Sequence, residues 1–519
     1  MFSEAYCAAV NGIDGSIVRA ECDVSHGLPG FQIVGYLSAE VKETRERVWA
    51  AIKNSGFFLR PEKILVNLSP ADMRKDGTEY DLAVAAAVIS SYGIIPNEYL
   101  KDKIFIGELT LDGRVLPVNG VLPMVYAAMQ EGFSYAYVPV ENLNEALTVK
   151  GIRVIPVTDI KNLIEITNDP EKYTARDLPD IPGITAHKRP SLDFKDVRGQ
   201  EAARRAVEAA VSGMHNILMI GPPGSGKTMI AERIPGIMPV PDFDELMKIS
   251  RVYSVTGLLS DDAPLITERP FRSPHHTITT AALIGGGIKP RPGEVSLASG
   301  GVLFLDELPE FSLSSIEVLR QPLEDGLAHI SRNGGSYTYP ADFQLVAAMN
   351  PCKCGYFPSR RCSCTPGSVR RYLNHVSRPL LDRIDICTET FQMDFKSIRD
   401  DPLDVPESSD EIRMRVEAVQ EIQRERYKDE DFSYNSRLTP SSIKKYCALT
   451  PLASDYLSEV FDREFLTNRS YHKILKVART IADMDGADKI NEVHISEAVC
   501  YRSADRNYWN NPVLGGGAA

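Results

Sequence analysis

Nowhere in the 519 residues does an uninterrupted apolar run approach the roughly 18 that a membrane-crossing helix requires. The opening MFSEAYCAAVNGIDG lacks the basic-then-apolar layout of a secretory signal. Together these predict a cytoplasmic protein with no membrane partner. There is no surplus of positive charge either: 58 Lys and Arg stand against 70 Asp and Glu, a net of −12. A uniform cationic coat around an anionic polymer is thereby excluded, and any nucleic-acid contact has to come from local basic patches. No internal repeat is present, which excludes a solenoid. Nine cysteines, four of them within thirteen positions, argue against a disulfide framework in such a chain and for metal or thiol chemistry at the cluster.

What is present divides into parts. Residues 1–167 interleave β-rich runs (IVRAECDV, FQIVGYL, KILVNLSP, YAYVPV) with helical ones, as in a compact α+β domain. Residues 168–195 carry four prolines and no apolar periodicity, and read as a linker. Residues 196–395 alternate buried strands (NILMI, GVLFL, FQLVAAM) with helices, the pattern of an α/β parallel sheet covered on both faces. Residues 408–510 read as helices. Ser408 followed by Glu411 forms a capping box, and Ile412, Val416, Val419 and Ile422 are placed on one face. The last ten residues, NNPVLGGGAA, read as a frayed end.

GPPGSGKT follows the NILMI strand and runs into a helix, the context that marks a true phosphate loop. In Gly221, Pro222, Pro223, Gly224, Ser225, Gly226, Lys227 and Thr228, the glycines let backbone N–H groups converge on a nucleotide's β-phosphate. Lys227 reaches the β- and γ-phosphates, and the Thr228 hydroxyl holds Mg²⁺. GVLFLDELPEF supplies the companion: Asp306 to complete the Mg²⁺ shell and Glu307 to polarise the attacking water of ATP hydrolysis. Asn350 ends the third apolar strand, where an uncharged amide orients water beside the γ-phosphate.

Cys352, Cys354, Cys362 and Cys364 form two C-x-C pairs separated by seven residues. Four thiolates suit tetrahedral Zn²⁺ in a loop at 350–366, although spacers of one residue are tighter than the usual two to four, and reduced surface thiols are the other reading. From 351 to 383, Lys353, Arg360, Arg361, Arg370, Arg371, Arg378 and Arg383 face a single acid, Asp382. Such an island binds phosphates without reading sequence. LAHISRNGGSYTYP reads as a hairpin with an Asn-Gly turn and Arg332 at its tip.

These residues resemble the magnesium-chelatase-like group of AAA+ ATPases, specifically the ComM/YifB family, along the whole chain. GLPGFQIVGYLSAEVKETRERVWAAIKNSGF, FRSPHHTITTAALIGGGIKPRPGEVSLASGGVLFLDELPEF, RPLLDRIDICTE and NRSYHKILKVARTIADMDG carry the likeness. It implies an AAA+ P-loop core with a helical lid, a ring-forming homo-hexamer, and ATP between subunits. It also implies a helicase-like motor on single-stranded or branched DNA, used for branch migration in recombination or natural transformation. By that resemblance Arg383 is an arginine finger, Arg469 is the lid's sensor arginine, and Arg272, His275, His276, Lys289 and Arg291 belong to hairpins that grip DNA. The competing expectation is a chaperone-like remodelling ATPase, akin to a magnesium-chelatase motor, acting on a protein partner.

KILVNLSPADMRKDGTEYDLAVAAAVI and GELTLDGRVLPVNGVLPMVYAA also resemble the peptidase domain of Lon, a ribosomal S5 domain 2-like α+β fold. Lon has a nucleophilic serine where Glu79 stands and a catalytic lysine in the region of Val121, Leu122, Pro123 and Met124. Without nucleophile and base the Ser–Lys chemistry cannot run, so no protease activity is expected. Lys42, Arg45 and Arg47 of the following-strand helix VKETRERVWAAI are expected on a solvated face or in DNA contact.

Overall fold

The computed structural model describes residues 1–174, 192–260, 262–287, 290–332, 335–392, 406–464, 466–509 and 511. Most of the expected linker, Lys289, the Asn-Gly turn at 333–334 and most of the C-terminal tail lie outside the described residues. The chain forms two units, described separately.

The first unit comprises the described residues of Met1–His187 together with Phe243–Thr267. Its seven-stranded mixed sheet runs in the order Gly30–Val34, Lys63–Ser69, Asp14–Ser25, Phe2–Asn11, Lys103–Phe105, Tyr135–Pro139, Arg153–Val157. Phe2–Asn11 and Asp14–Ser25 pair antiparallel around a short turn, whereas the last three strands run parallel and are linked by helices. Helix Asp81–Ser91, DLAVAAAVISS, is buried on every side, as an alanine-rich helix apolar all round has to be. The segment Phe243–Thr267, which the sequence places inside the ATPase half, packs in this unit. Met247 and Leu265 enter its core, Arg251 meets Asp14 at 2.9 Å, and Ser254 accepts from the Gly120 N–H at 3.1 Å.

The second unit is built on a five-stranded parallel sheet in the order Phe271–Arg272, Val302–Leu305, Gln344–Met349, Ile217–Ile220, Ile386–Glu389. The middle strands are buried along their length, because helices cover both faces of a parallel sheet. Helices Ser409–Arg426, Pro440–Tyr446, Pro451–Arg463, Asn468–Met484 and Glu492–Cys500 follow. The capping box is present: the Ser408 side chain accepts from the Glu411 N–H, and the Glu411 carboxylate accepts from the Ser408 N–H. The expected apolar face is corrected at one position. Ile412, Val416 and Val419 are buried, but Ile422 is 41% exposed and Gln423 takes the inward position, donating to the Ser212 carbonyl at 2.8 Å. A step of four from Val419 follows the 3.6-residue turn inward more closely than a step of three.

No helix among the described residues is long and apolar enough to cross a membrane.

Candidate nucleotide site and its surroundings

The buried strand Ile217–Ile220 ends at Gly221, and helix Lys227–Ala231 begins six residues later. Between them Gly224 and Gly226 take φ of +74° and +87°, the left-handed backbone that folds the loop back over the helix N-terminus. Two contacts pin the loop from behind: Ser225 Oγ lies 2.7 Å from Thr390 Oγ1, and Gln200 Nε2 donates to the Ser225 and Phe391 carbonyls. Lys227 Nζ donates to the carbonyls of Gly221 and Pro222 at 2.8 and 3.0 Å and to Asn350 Oδ1 at 3.2 Å. Burial lowers its pKa from the ordinary value, against the pull of Asp306 and Glu307.

Three adjacent strands thus bring the sequence-predicted groups together. Thr228 Oγ1 donates to Asp306 Oδ2 at 2.9 Å, which puts hydroxyl and carboxylate where one divalent cation could take both. Asp306 Oδ1 also accepts from the Glu307 N–H at 2.9 Å. Glu307 itself adopts φ +52°, rare for a residue with a side chain and a form of strain found at functional sites. The loop N–H groups and Lys227 fit the phosphates of ATP, and Thr228 with Asp306 fits Mg²⁺.

Sequence reasoning missed one neighbour of this cluster. His276 Nδ1 sits 4.0 Å from Glu307 Oε2, and its ring lies against His275, with centroids 4.0 Å apart. The signal was the position of PHH just beyond Phe271–Arg272. A two-residue strand is too short to read from periodicity, so its pairing beside Val302–Leu305 was invisible. Arg272, expected in a DNA-gripping hairpin, instead makes a two-pronged pair with Glu294 at 2.7 and 2.8 Å. Arg291 remains exposed on a short hairpin strand.

Arg383 and Arg469 are not brought to this chain's phosphate loop. The Arg383 carbonyl accepts from Asn216 Nδ2 at 2.8 Å, and Asn216 precedes Ile217, whereas Gly221 follows Ile220. Both arginines line one cleft with Asn216, Glu324 and Asp382, at the amino edge of the sheet. Four residues of strand put roughly 13 Å between that edge and the phosphate loop. Arg383 is held by Glu324 and by the Arg320 and Pro379 carbonyls, while Arg469 pairs with Asp382 at 3.0 Å and is 78% exposed.

The four cysteines converge. All are free, with Cys352 buried, and their sulfurs lie within 4.8 Å of one another. Cys352 Sγ is 3.3 Å from Cys354 Sγ and 3.8 Å from Cys362 Sγ, and Cys354 and Cys362 are 3.6 Å apart. A tetrahedron with Zn–S near 2.3 Å has edges of about 3.8 Å, so the donor set fits zinc in kind and size. Burial opposes ionisation of Cys354, but the N–H groups of Tyr356 and Ser363 aimed at its sulfur bring its pKa below the ordinary value. Within the cysteine segment Lys353, Arg360 and Arg361 are exposed, as are Arg370, Arg371 and Arg378 on the helices that follow. Strands Leu327–Arg332 and Gly335–Pro340 pair antiparallel with Arg332 opposite Gly335, next to the turn.

In the first unit, Met124 is fully buried in helix Val121–Gln130, an apolar packing residue where Lon carries its base. Glu79 is desolvated beside Tyr80 and Asp81, and its carboxyl is pushed up to about 7. The expectation for Arg47 is corrected: Nε donates to Asp81 Oδ2 at 2.7 Å and Nη2 to Oδ1 at 3.0 Å, and Asp81 is fully buried. A buried carboxylate demands such a partner, so Arg47 is half-buried against it while Lys42 and Arg45 stay exposed.

Comparison with known proteins adds to this geometry. Residues 193–398 match the family model described as magnesium chelatase, subunit ChlI; residues 20–142 match subunit ChlI of Mg-chelatase; residues 406–502 match its C-terminal part. The competence protein ComM of Haemophilus influenzae is 38% identical over 504 residues, 96% of this chain and 97% of that protein. YifB of Escherichia coli is 37% identical over 504 residues, 97% of each. A Lon protease of Trichlorobacter lovleyi is 26% identical over 170 residues, 30% of this chain and 21% of the protease. With a phosphate loop, an acidic pair and full-length likeness in one chain, this protein belongs to the ComM/YifB family of magnesium-chelatase-like AAA+ ATPases, with a Lon-protease-like domain at its N-terminus.

Proposed function

We propose that this ATPase is a DNA motor: a hexameric, helicase-like translocase that drives branch migration in recombination or natural transformation. The observation that carries the reading is the exposed basic segment, Lys353 to Arg378, a loop followed by a short helix, which starts three residues after Asn350 in a chain of net charge −12. A patch of this kind takes phosphates from a DNA backbone, and its link to a γ-phosphate-sensing residue gives hydrolysis a route to move it. Zn²⁺ held by Cys352, Cys354, Cys362 and Cys364 closes the loop that carries the first part of the patch, Lys353, Arg360 and Arg361. The name of the relative ComM, a competence protein, agrees with a role in natural transformation.

In this reading ATP is held by Gly221–Thr228 with Mg²⁺ on Thr228 and Asp306. Glu307 accepts a proton from the attacking water and Asn350 orients it. Arg383 and Arg469 lie at the far edge of the sheet, so they serve a neighbouring subunit's nucleotide, as a ring supplies.

Hydrolysis by the purified protein, with and without single-stranded and forked DNA, tests the proposal. DNA stimulation that is lost in Lys227→Ala and Glu307→Gln and weakened by salt supports it. Indifference to every DNA form sinks it in favour of a remodelling ATPase with a protein partner, the reading favoured by the match to a chelatase subunit.

A further inference from the structure

The cysteine knuckle does more than carry arginines: it leans on the phosphate loop. Strand Gln344–Met349 runs through Asn350 and Pro351 straight into Cys352, and the Gly355 N–H closes the turn onto the Cys352 carbonyl at 2.9 Å. Gly355 is buried with φ +83°, and a Cβ built on it would come within 2.4 Å of Pro223 Cδ, so its backbone rests directly on the second proline of GPPGSGKT. The same two stretches face each other across a cavity lined by Gly221, Pro222, Gly355, Phe357, Glu389 and Tyr508.

From Pro351 to Thr365 the knuckle contains no helix or strand of its own. Its shape therefore depends on whatever joins the four sulfurs, and thiol contacts at 3.3 to 3.8 Å are weak compared with Zn–thiolate bonds.

We infer that zinc bound by Cys352, Cys354, Cys362 and Cys364 braces the phosphate loop through the Gly355–Pro223 contact, making nucleotide affinity dependent on metal occupancy. This rests on the zinc reading above but goes beyond it, because it assigns the metal a positioning role in the nucleotide site rather than in DNA contact. The metal touches neither nucleotide nor Mg²⁺. It fixes where Pro223, and with it the turn of N–H groups from Gly224 onward, can sit.

The test measures two quantities on the full chain: zinc per chain by elemental analysis, and affinity for a fluorescent N-methylanthraniloyl-ADP at constant Mg²⁺. Zinc is removed with a zinc-selective chelator and restored by adding zinc alone, and Gly355→Ala disturbs the contact without touching a ligand. One zinc per chain is expected, with affinity falling on the order of tenfold on chelation, returning on zinc addition, and falling likewise in zinc-loaded Gly355→Ala. Zinc that leaves without changing affinity overturns the brace and leaves the metal site standing. A chain isolated from zinc-supplemented cells without zinc, and taking none up, overturns both.

Discussion

Arg469 and Asp382 form an ion pair of 3.0 Å immediately beside Arg383, at the amino edge of a parallel sheet whose carboxyl edge carries the phosphate loop. In the ring proposed above, two arginines at this edge would serve the nucleotide of a neighbouring subunit. Arg383→Ala is therefore expected to lower hydrolysis on the order of 10³-fold while the chain still binds ATP. Mixed with Lys227→Ala chains, which lack the phosphate contact but keep both arginines, it should regain part of the activity. Two inactive proteins that stay inactive when mixed would contradict action between subunits.

His276 Nδ1, 4.0 Å from Glu307 Oε2, is placed to steady that carboxylate. Glu307→Gln should bind ATP yet hydrolyse it about 10²-fold or more slowly, as expected for loss of a general base. His276→Ala should cause a smaller fall, and His276→Gln should recover part of the rate. An undiminished rate in His276→Ala would assign the histidine to packing against Phe311 alone.

Asp81 is fully buried and depends on Arg47 for its charge compensation. Arg47→Ala leaves that carboxylate desolvated and unpaired, at a cost of about 3–5 kcal/mol of stability in the first unit, read by chemical denaturation. The paired change Arg47→Met with Asp81→Leu should lose far less. Equal losses in the single and double variants would show that the ion pair is not the source.

Glu79 titrates near 7 in the fold against 4.5 for an ordinary glutamate, because burial penalises its charged form. Between those values the folded chain binds more protons than the unfolded one, so stability declines as pH rises through the window. Glu79→Gln should remove that slope and be the more stable protein at pH 8 by roughly 1–3 kcal/mol, the two converging below pH 5. Parallel stability profiles for the two proteins across this range would place the titration elsewhere.

Much of the site was legible in the chain because phosphate-loop chemistry is local. Backbone N–H groups, Lys227 and Thr228 occupy one strand–turn–helix, and Asp306 and Glu307 end one apolar run, so residue type and order suffice to name them. The capping box at Ser408 and the cysteine cluster were readable for the same reason, their partners lying within a few positions or one short loop.

Other features depended on pairings that sequence distance hides. Arg47 meets Asp81 across 34 positions, and the two could be joined only once helices Ala39–Asn54 and Asp81–Ser91 were placed in space. His276 reaches Glu307 because a two-residue strand pairs beside the acidic pair's strand. Phe243–Thr267 interrupts the ATPase half in sequence yet buries Met247 and Leu265 in the other unit, a choice made by available apolar surface rather than by order in the chain. The sequence by itself determined which groups form the candidate nucleotide site, since that pattern is written in consecutive residues. Only the tertiary structure decided which edge of the sheet Arg383 and Arg469 occupy and what Gly355 rests on, because strand order and close packing are set by contacts between distant segments.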